Sequence, residues 1–247
     1  MNAPRMAAPP KQPPPRPATA ARAAPGGDGS LSPGRGFSLR AEDYDVTRLP
    51  CPRGGPSWAI DPARSALLVH DMQPPYVDVL SPRSRRRLLE RVQRVVDWAD
   101  AWGVPLLASG PRAAAEPAQR GLLGSCWGIG LLPEQAAATT LPRLAAADVT
   151  RIAKRSYSAF HASDLETELR RRGRDQLVIV GVYASHGILA TSVDAIGRDV
   201  RAFVPFDATA DYTAGRHAAA LELIGTMSGR VLGVGDLLRE APVRRSV

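Results

Sequence analysis

Asp71 and Lys154 are the two residues of this chain best placed to do chemistry. Asp71 closes the apolar run Ala66-Leu67-Leu68-Val69-His70, and Lys154 follows the run from Val149 to Ala153. Runs of this length and composition suit buried parallel strands, and ligands of such sheets gather at the strand carboxyl ends. A carboxyl group there can give or take a proton; it can equally cap a helix or hold a turn. Lys154 alone reads equally well as a surface lysine. His70 precedes Asp71 inside the strand and reads as a satisfied core histidine, while His161, His186 and His217 carry no assigned role. Cys51 and Cys126 are too few for a disulfide framework or a zinc site, so a reduced, cytoplasmic protein is expected.

The surrounding text alternates between two periods. Ser81 is a plausible helix N-cap with Pro82 at the first helical position. Leu88, Val92, Val95, Ala99 and Trp102 then recur at helical spacing, and Gly103 ends the helix. Val104 to Ser109 reads as a second strand, and residues 110 to 148 are irregular. After the Val149–Ala153 strand, Ser163-Asp164-Leu165-Glu166 has the form of a capping box opening a helix to Gly173. Gln176 to Tyr183 is the clearest strand. A helix through Asp194, a strand from Arg201 to Asp207, a helix from Ala214 to Ile224 and a strand from Arg230 to Val234 complete the pattern. Strands alternating with helices predict a three-layer α/β/α fold, Rossmann-like, with a six-stranded, mainly parallel sheet. Asp71, Lys154 and the Gly181–Gly187 turn should converge at one end of it.

The chain has 247 residues and a hydrophobic fraction of 44%, enough for a sizeable core. Residues 1 to 38 contain nine prolines and no Val, Ile, Tyr or Trp; with so little to bury, they are expected to form a disordered tail ahead of a single domain from 39 to 247. No run approaches ~18 consecutive apolar residues, and no secretory signal is seen. The net charge of +8 raises nucleic acid as a partner. The first forty residues, however, hold six Lys or Arg against one acid, and no aromatics interleave the basic runs at Arg85–Arg87 and Arg170–Arg172. Neither a nucleic-acid nor a membrane partner is expected.

Three segments together resemble the isochorismatase family: Leu67-Leu68-Val69-His70-Asp71-Met72-Gln73; Lys154-Arg155-Ser156-Tyr157-Ser158-Ala159-Phe160; and Gly173 to Leu177 running into Gly181-Val182-Tyr183-Ala184. Asp194-Ala195 and Asp207-Ala208-Thr209-Ala210-Asp211-Tyr212 extend the likeness over roughly residues 57 to 240, and it is closest to the stand-alone enzymes of phenazine and catechol-siderophore pathways. The wider superfamily includes cysteine hydrolases whose nucleophile stands seven residues before the Asp-Ala that Asp194-Ala195 matches. That position is Gly187 here, which rules out thiolate catalysis at the site. The Asp-x-His metal pattern of nicotinamidases is also missing after the second strand.

The resemblance implies hydrolysis of an enolpyruvyl (vinyl) ether, isochorismate or 2-amino-2-deoxyisochorismate, to pyruvate and a dihydro-hydroxy ring product, with no cofactor and no metal. It makes Asp71 the general acid and Lys154 its catalytic partner. It puts Arg120 and Trp127 in the wall of the substrate pocket, and Tyr183 and the backbone of Gly187 against the enolpyruvyl carboxylate or the attacking water. It also implies a small-molecule, chorismate-derived substrate and a homodimer. A carboxyl must hold a proton in order to give one, and a neighbouring lysine favours the ionised form. The substrate's own carboxylates are therefore expected to neutralise Lys154 and Arg120 as the site closes.

Three positions depart from the family pattern. Pro111 stands where related enzymes have a substrate-binding glutamine, Gln73-Pro74-Pro75-Tyr76 replaces a closing Tyr-Phe pair, and Ser185 replaces the usual histidine. These changes point to altered substrate choice. They also favour the competing reading, a non-catalytic structural or regulatory protein of the same fold, which the retained Asp71 and Lys154 oppose.

Overall fold

A computed structural model of the chain describes residues 41 to 240; the expected tail and its boundary lie outside the described residues. Among the described residues, seven strands form one sheet: β1 (Ser65–His70), β2 (Leu106–Pro111), β3 (Thr150–Lys154), β4 (Gln176–Val182), β5 (Arg201–Pro205), β6 (Thr209–Ala210) and β7 (Gly229–Leu232). Their order is β3-β2-β1-β4-β5-β7, with the two-residue β6 paired to the end of β4. The pairings are all parallel. The sheet thus has one more strand than the six expected. The run from Arg201 to Asp207 leaves β5 at Pro205, and the chain returns to the sheet at Thr209.

Among the described residues, eight α-helices accompany the sheet: α1 (Pro74–Val77), α2 (Pro82–Trp102), α3 (Leu122–Trp127), α4 (Pro133–Ala137), α5 (Leu165–Arg171), α6 (Leu189–Ile196), α7 (Ala214–Met227) and α8 (Val234–Glu240). The strand period of two divides the core. Leu67, Val69, Val178, Val180 and Phe203 pack with Leu88, Val92 and Val95 of α2 and Leu237 of α8. Ala66, Leu68, Leu177, Ile179 and Ala202 pack with Leu165 and Leu169 of α5, Ala195 of α6 and Leu221 of α7. Consecutive residues of one strand therefore bury on opposite faces, which is the three-layer arrangement.

Local signals decide the ends of α2. The Ser81 hydroxyl accepts from the Ser84 amide at 3.1 Å, and Gly103 takes a left-handed φ of 65°, as the sequence predicts. The capping box at α5 does not form. The Ser163 hydroxyl accepts from the Leu165 amide at 3.3 Å and donates to the Ala159 carbonyl, one residue short of the N-cap Asp164. Glu166 turns outward to Arg198 at 3.2 Å. Pro74 and Pro75, in the segment that replaces the closing Tyr-Phe pair, open the short helix α1, where a proline costs no hydrogen bond.

The irregular stretch after β2 holds two helices, α3 and α4, which the sequence reading missed. Each is under seven residues, too short for a helical repeat to stand out. The helix α8, after the last strand, was also not foreseen. In the arginine runs, Arg85 pairs with Asp78, Arg87 with Glu90, and Arg171 and Arg172 with Glu168. Among the described residues, no helix is long and apolar enough to cross a membrane.

Candidate active site

The strand order reverses between β1 and β4, and the crevice at their carboxyl ends is where an open parallel sheet binds ligands. Asp71 follows β1 there, with a φ of 53°, a left-handed conformation that aspartate tolerates better than most residues. Its amide donates to the Ser109 carbonyl at 3.3 Å. Ser109 Oγ donates to Asp71 Oδ1 at 3.1 Å, and Lys154 Nζ lies 2.8 Å from Oδ2. Lys154 ends β3 opposite Pro111 of β2, is 5% exposed, and also donates to the Ser156 carbonyl at 2.9 Å. Both carboxylate oxygens are thus already engaged, one by the Ser109 hydroxyl and one by the Lys154 ammonium. For Asp71 to act as an acid, a ligand must compete for the lysine.

Above this floor is a cavity of about 560 Å³ lined by Asp71, Lys154, Arg120, Trp127, Tyr183 and Gly187 among others. All six residues named from sequence therefore meet at one place, although they come from four separate stretches of the chain, at 71, 120–127, 154 and 183–187. Arg112 and Arg155 add to the positive lining, and Pro75, Val79, Leu123 and Leu131 give it an apolar surface. The segment carrying Arg120 is built by close approach. A β-carbon on Gly124 would stand 1.8 Å from the Pro117 carbonyl oxygen, so α3 can pack on the Pro117–Arg120 turn. The Arg120 guanidinium lies on Gly130, whose φ is 80°, and Nη1 donates to the Gly128 carbonyl at 2.7 Å. Arg112, next to the proline that replaces the family's glutamine, spends Nη2 on the Ala162 carbonyl at 2.7 Å.

The opposite wall is aromatic. The Tyr183 ring stacks on Tyr212 with centroids 4.3 Å apart, and its hydroxyl donates to the Tyr76 carbonyl at 2.6 Å. Tyr183, expected from sequence against the enolpyruvyl carboxylate or the attacking water, thus lines the cavity with its hydroxyl proton already engaged. Burial pushes the Tyr76, Tyr183 and Tyr212 phenols up, so they stay protonated. Trp127 Nε1 donates to the Tyr157 hydroxyl at 2.7 Å, and both rings meet His186. His186, given no role from sequence, lines the cavity because Ala184–Ile188 forms a wide π-type turn. Burial holds it below its usual range, hence neutral at pH 7.

Ser185, where the family has a histidine, donates its amide to Asp211 Oδ2 at 2.5 Å. Its hydroxyl accepts from Arg216 Nη2 at 3.1 Å and sits 3.1 Å from His186 Nδ1. Asp211 is fully buried and ties this wall to the core through Tyr44, whose hydroxyl accepts from the Asp211 amide at 2.8 Å and lies 3.0 Å from His217 Nδ1.

His70 is fully buried behind Asp71, as a core histidine should be, but it is only half satisfied. Nδ1 contacts the Val182 carbonyl at 2.9 Å, so it carries the ring proton, while Nε2 has no hydrogen-bond partner. Burial lowers its proton affinity, so the ring is neutral.

Among the described residues no three His, Cys, Asp or Glu side chains gather as a metal site would require. The reading from sequence missed Ser109, Tyr76, Tyr157, Tyr212 and His186. Tyr157 and Tyr212 stand inside motifs quoted from the sequence but were given no role there; Ser109, Tyr76 and His186 are put in place by strand pairing or the shape of a turn.

A model of the isochorismatase domain matches residues 65–236. Enterobactin synthase component B of Escherichia coli is 34% identical over 208 residues, 83% of this chain and 71% of that protein. Phenazine biosynthesis protein PhzD1 of Pseudomonas aeruginosa is 36% identical over 182 residues, 73% of this chain and 88% of that protein. Among solved structures, a cysteine hydrolase from Pseudomonas syringae pv. phaseolicola superposes with a TM-score of 0.65 at 23% identity, covering 76% of this chain and 97% of that one. That last likeness concerns the fold.

Proposed function

The chain belongs to the isochorismatase family and is a hydrolase, and from that premise we propose that it cleaves the enolpyruvyl ether of isochorismate or of 2-amino-2-deoxyisochorismate, with Asp71 as proton donor. The observation that carries this reading is the charge of the cavity. Its lining has one carboxylate, Asp71, and four cations, Arg112, Arg120, Lys154 and Arg155. Such a cavity favours a small dianion, and Asp71 is the carboxyl group in its lining that could supply a proton to it.

The chemistry needs one proton delivered and one water added. Asp71 protonates the methylene carbon of the vinyl ether, and the ether oxygen stabilises the resulting oxocarbenium ion. Water adds to the carbon that bears the ether oxygen and gives up a proton, which restores the acid. The hemiketal then collapses to pyruvate and the ring alcohol. Substrate carboxylates drawing on Lys154 and Arg120 release the lysine's hold on Asp71, and closure of the cavity disfavours the ionised acid.

The test is pyruvate release, followed by coupled reduction to lactate, from each candidate substrate, with Asp71→Ala as control. Release by the wild-type chain and none by the variant is the expected result. No pyruvate from either substrate overturns the proposal.

A further inference from the structure

Gly187 is required by volume and not by backbone conformation. It lies in the turn Ala184–Ile188 and its φ is not positive, so any residue could adopt it. A β-carbon built there, however, would stand 2.0 Å from Cε1 of His70, 2.6 Å from Nε2 and 3.0 Å from Nδ1. The imidazole cannot swing aside cheaply. It is fully buried on a strand flanked by β2 and β4, and Nδ1 is tied to the Val182 carbonyl. The same nitrogen lies 3.5 Å from Asp71 Oδ2, so one ring touches both the acid and the turn that faces it across the cavity.

We infer that His70 and Gly187 are an interlocked pair: the imidazole occupies the volume a side chain at 187 would need, and thereby sets the spacing between the Asp71 carboxylate and the 183–188 turn. A nucleophile at position 187 would have to displace the ring before it could reach a substrate. The absent thiol and the buried imidazole are therefore one determinant of reaction type, divided between the end of β1 and the turn after β4. His70 acts through its neighbours, as a positioning residue. That positioning role rests on the proposed function; the interlock of volumes does not.

Asparagine at position 70 separates the two parts. Its Nδ2 can donate to Val182 as Nδ1 does, but the side chain ends before the atom that a methyl at 187 would strike. Gly187→Ala should lower Tm by about 5 to 10 °C in the wild-type background and by less than half as much in His70→Asn. If Gly187→Ala alone fails to fold, recovery of soluble protein in the double variant supports the pair. An equal loss in both backgrounds, or a double variant that fails while His70→Asn folds, overturns it.

For the positioning role, His70→Ala should lower kcat for pyruvate release roughly ten- to a hundredfold with KM little changed, and His70→Asn should restore most of that loss. A rise in KM alone, or no rescue by asparagine, overturns this half. A wild-type chain that releases no pyruvate sinks the proposed function and the positioning role together, while the stability cycle still decides the interlock.

Discussion

Asp71 and Lys154 meet at 2.8 Å although their strands are not neighbours, because β2 runs between β1 and β3. Two strand spacings amount to about 9.5 Å, a gap that a lysine stem extending over the end of β2 can close. The pair is mostly withdrawn from water, with side-chain exposures of 14% and 6%. Its members depend on each other. The ammonium stabilises a sparsely hydrated carboxylate, and the carboxylate stabilises a buried ammonium.

Removing either member should affect activity and stability differently. Asp71→Asn keeps the shape and the Ser109 contact but has no acid proton, so kcat for pyruvate release should fall by roughly 10² to 10⁴; Tm should fall too, because the buried Lys154 ammonium loses its carboxylate and keeps the Ser156 carbonyl. Lys154→Met leaves Asp71 unpaired and should cost about 2 kcal/mol of stability, between the values for exposed and fully buried pairs. Urea unfolding beside steady-state kinetics measures both; equal effects of the two variants on kcat would contradict these roles.

The seat of Arg120 offers a test that leaves the acid untouched. An alanine at 130 would adopt a left-handed φ and press on the guanidinium, with contacts of 2.8 to 3.0 Å. Gly130→Ala should therefore displace Arg120 and raise KM, in the direction of Arg120→Ala, while kcat changes within about threefold, because binding common to ground and transition states is what is lost. A fall in kcat with KM constant would assign Arg120 to the chemical step instead.

Tyr183→Phe separates a hydroxyl that binds substrate from a ring that forms a wall. The hydroxyl donates to the Tyr76 carbonyl, so its loss should cost about 1 kcal/mol of stability and leave kcat/KM within a few-fold. Tyr183→Ala, which also removes the stacking on Tyr212, should reduce kcat/KM much further. A hundredfold loss in the phenylalanine variant would restore the hydroxyl to the substrate.

Acid should weaken the fold through its buried imidazoles. Burial pushes His217 from its ordinary 6.5 down to about 4, and burial lowers His70 as well. Between those two values the unfolded chain binds a proton that folded His217 refuses. Stability is therefore fully present above pH 6.5 and is lost as pH falls toward 4, by about 3 kcal/mol for this one group. The carboxylates of Asp148 and Asp175, held low by Arg143 and Arg64, lose their contribution only below the ordinary carboxylate range. Urea midpoints at pH 7, 5.5 and 4.5 should fall steadily, and less steeply in His217→Gln; a flat profile down to pH 4.5 would exclude a buried neutral imidazole at 217.

The sequence by itself determined what depends on neighbours along the chain. Apolar runs ending at His70, Ala153 and Val182 specify buried parallel strands, and the helical spacing from Leu88 to Trp102 with Ser81 and Gly103 at its ends specifies α2. Placing Asp71, Lys154 and Gly187 together follows from the rule that strand ends share an edge. The motifs around Asp71 and Tyr157 were specific enough to indicate the family, and with it Arg120, Trp127 and Tyr183. Tertiary structure decided whatever depends on register and side-chain volume between distant segments. Strand pairing sets Ser109 against the Asp71 carboxylate, and the wide turn after Tyr183 brings His186 into the cavity. The Tyr76 carbonyl takes the Tyr183 hydroxyl, and Gly130 seats Arg120. Nothing in the order of residues shows that His70 fills the volume beside Gly187, because that contact joins the end of β1 to the turn after β4, whose placement is a property of the folded sheet.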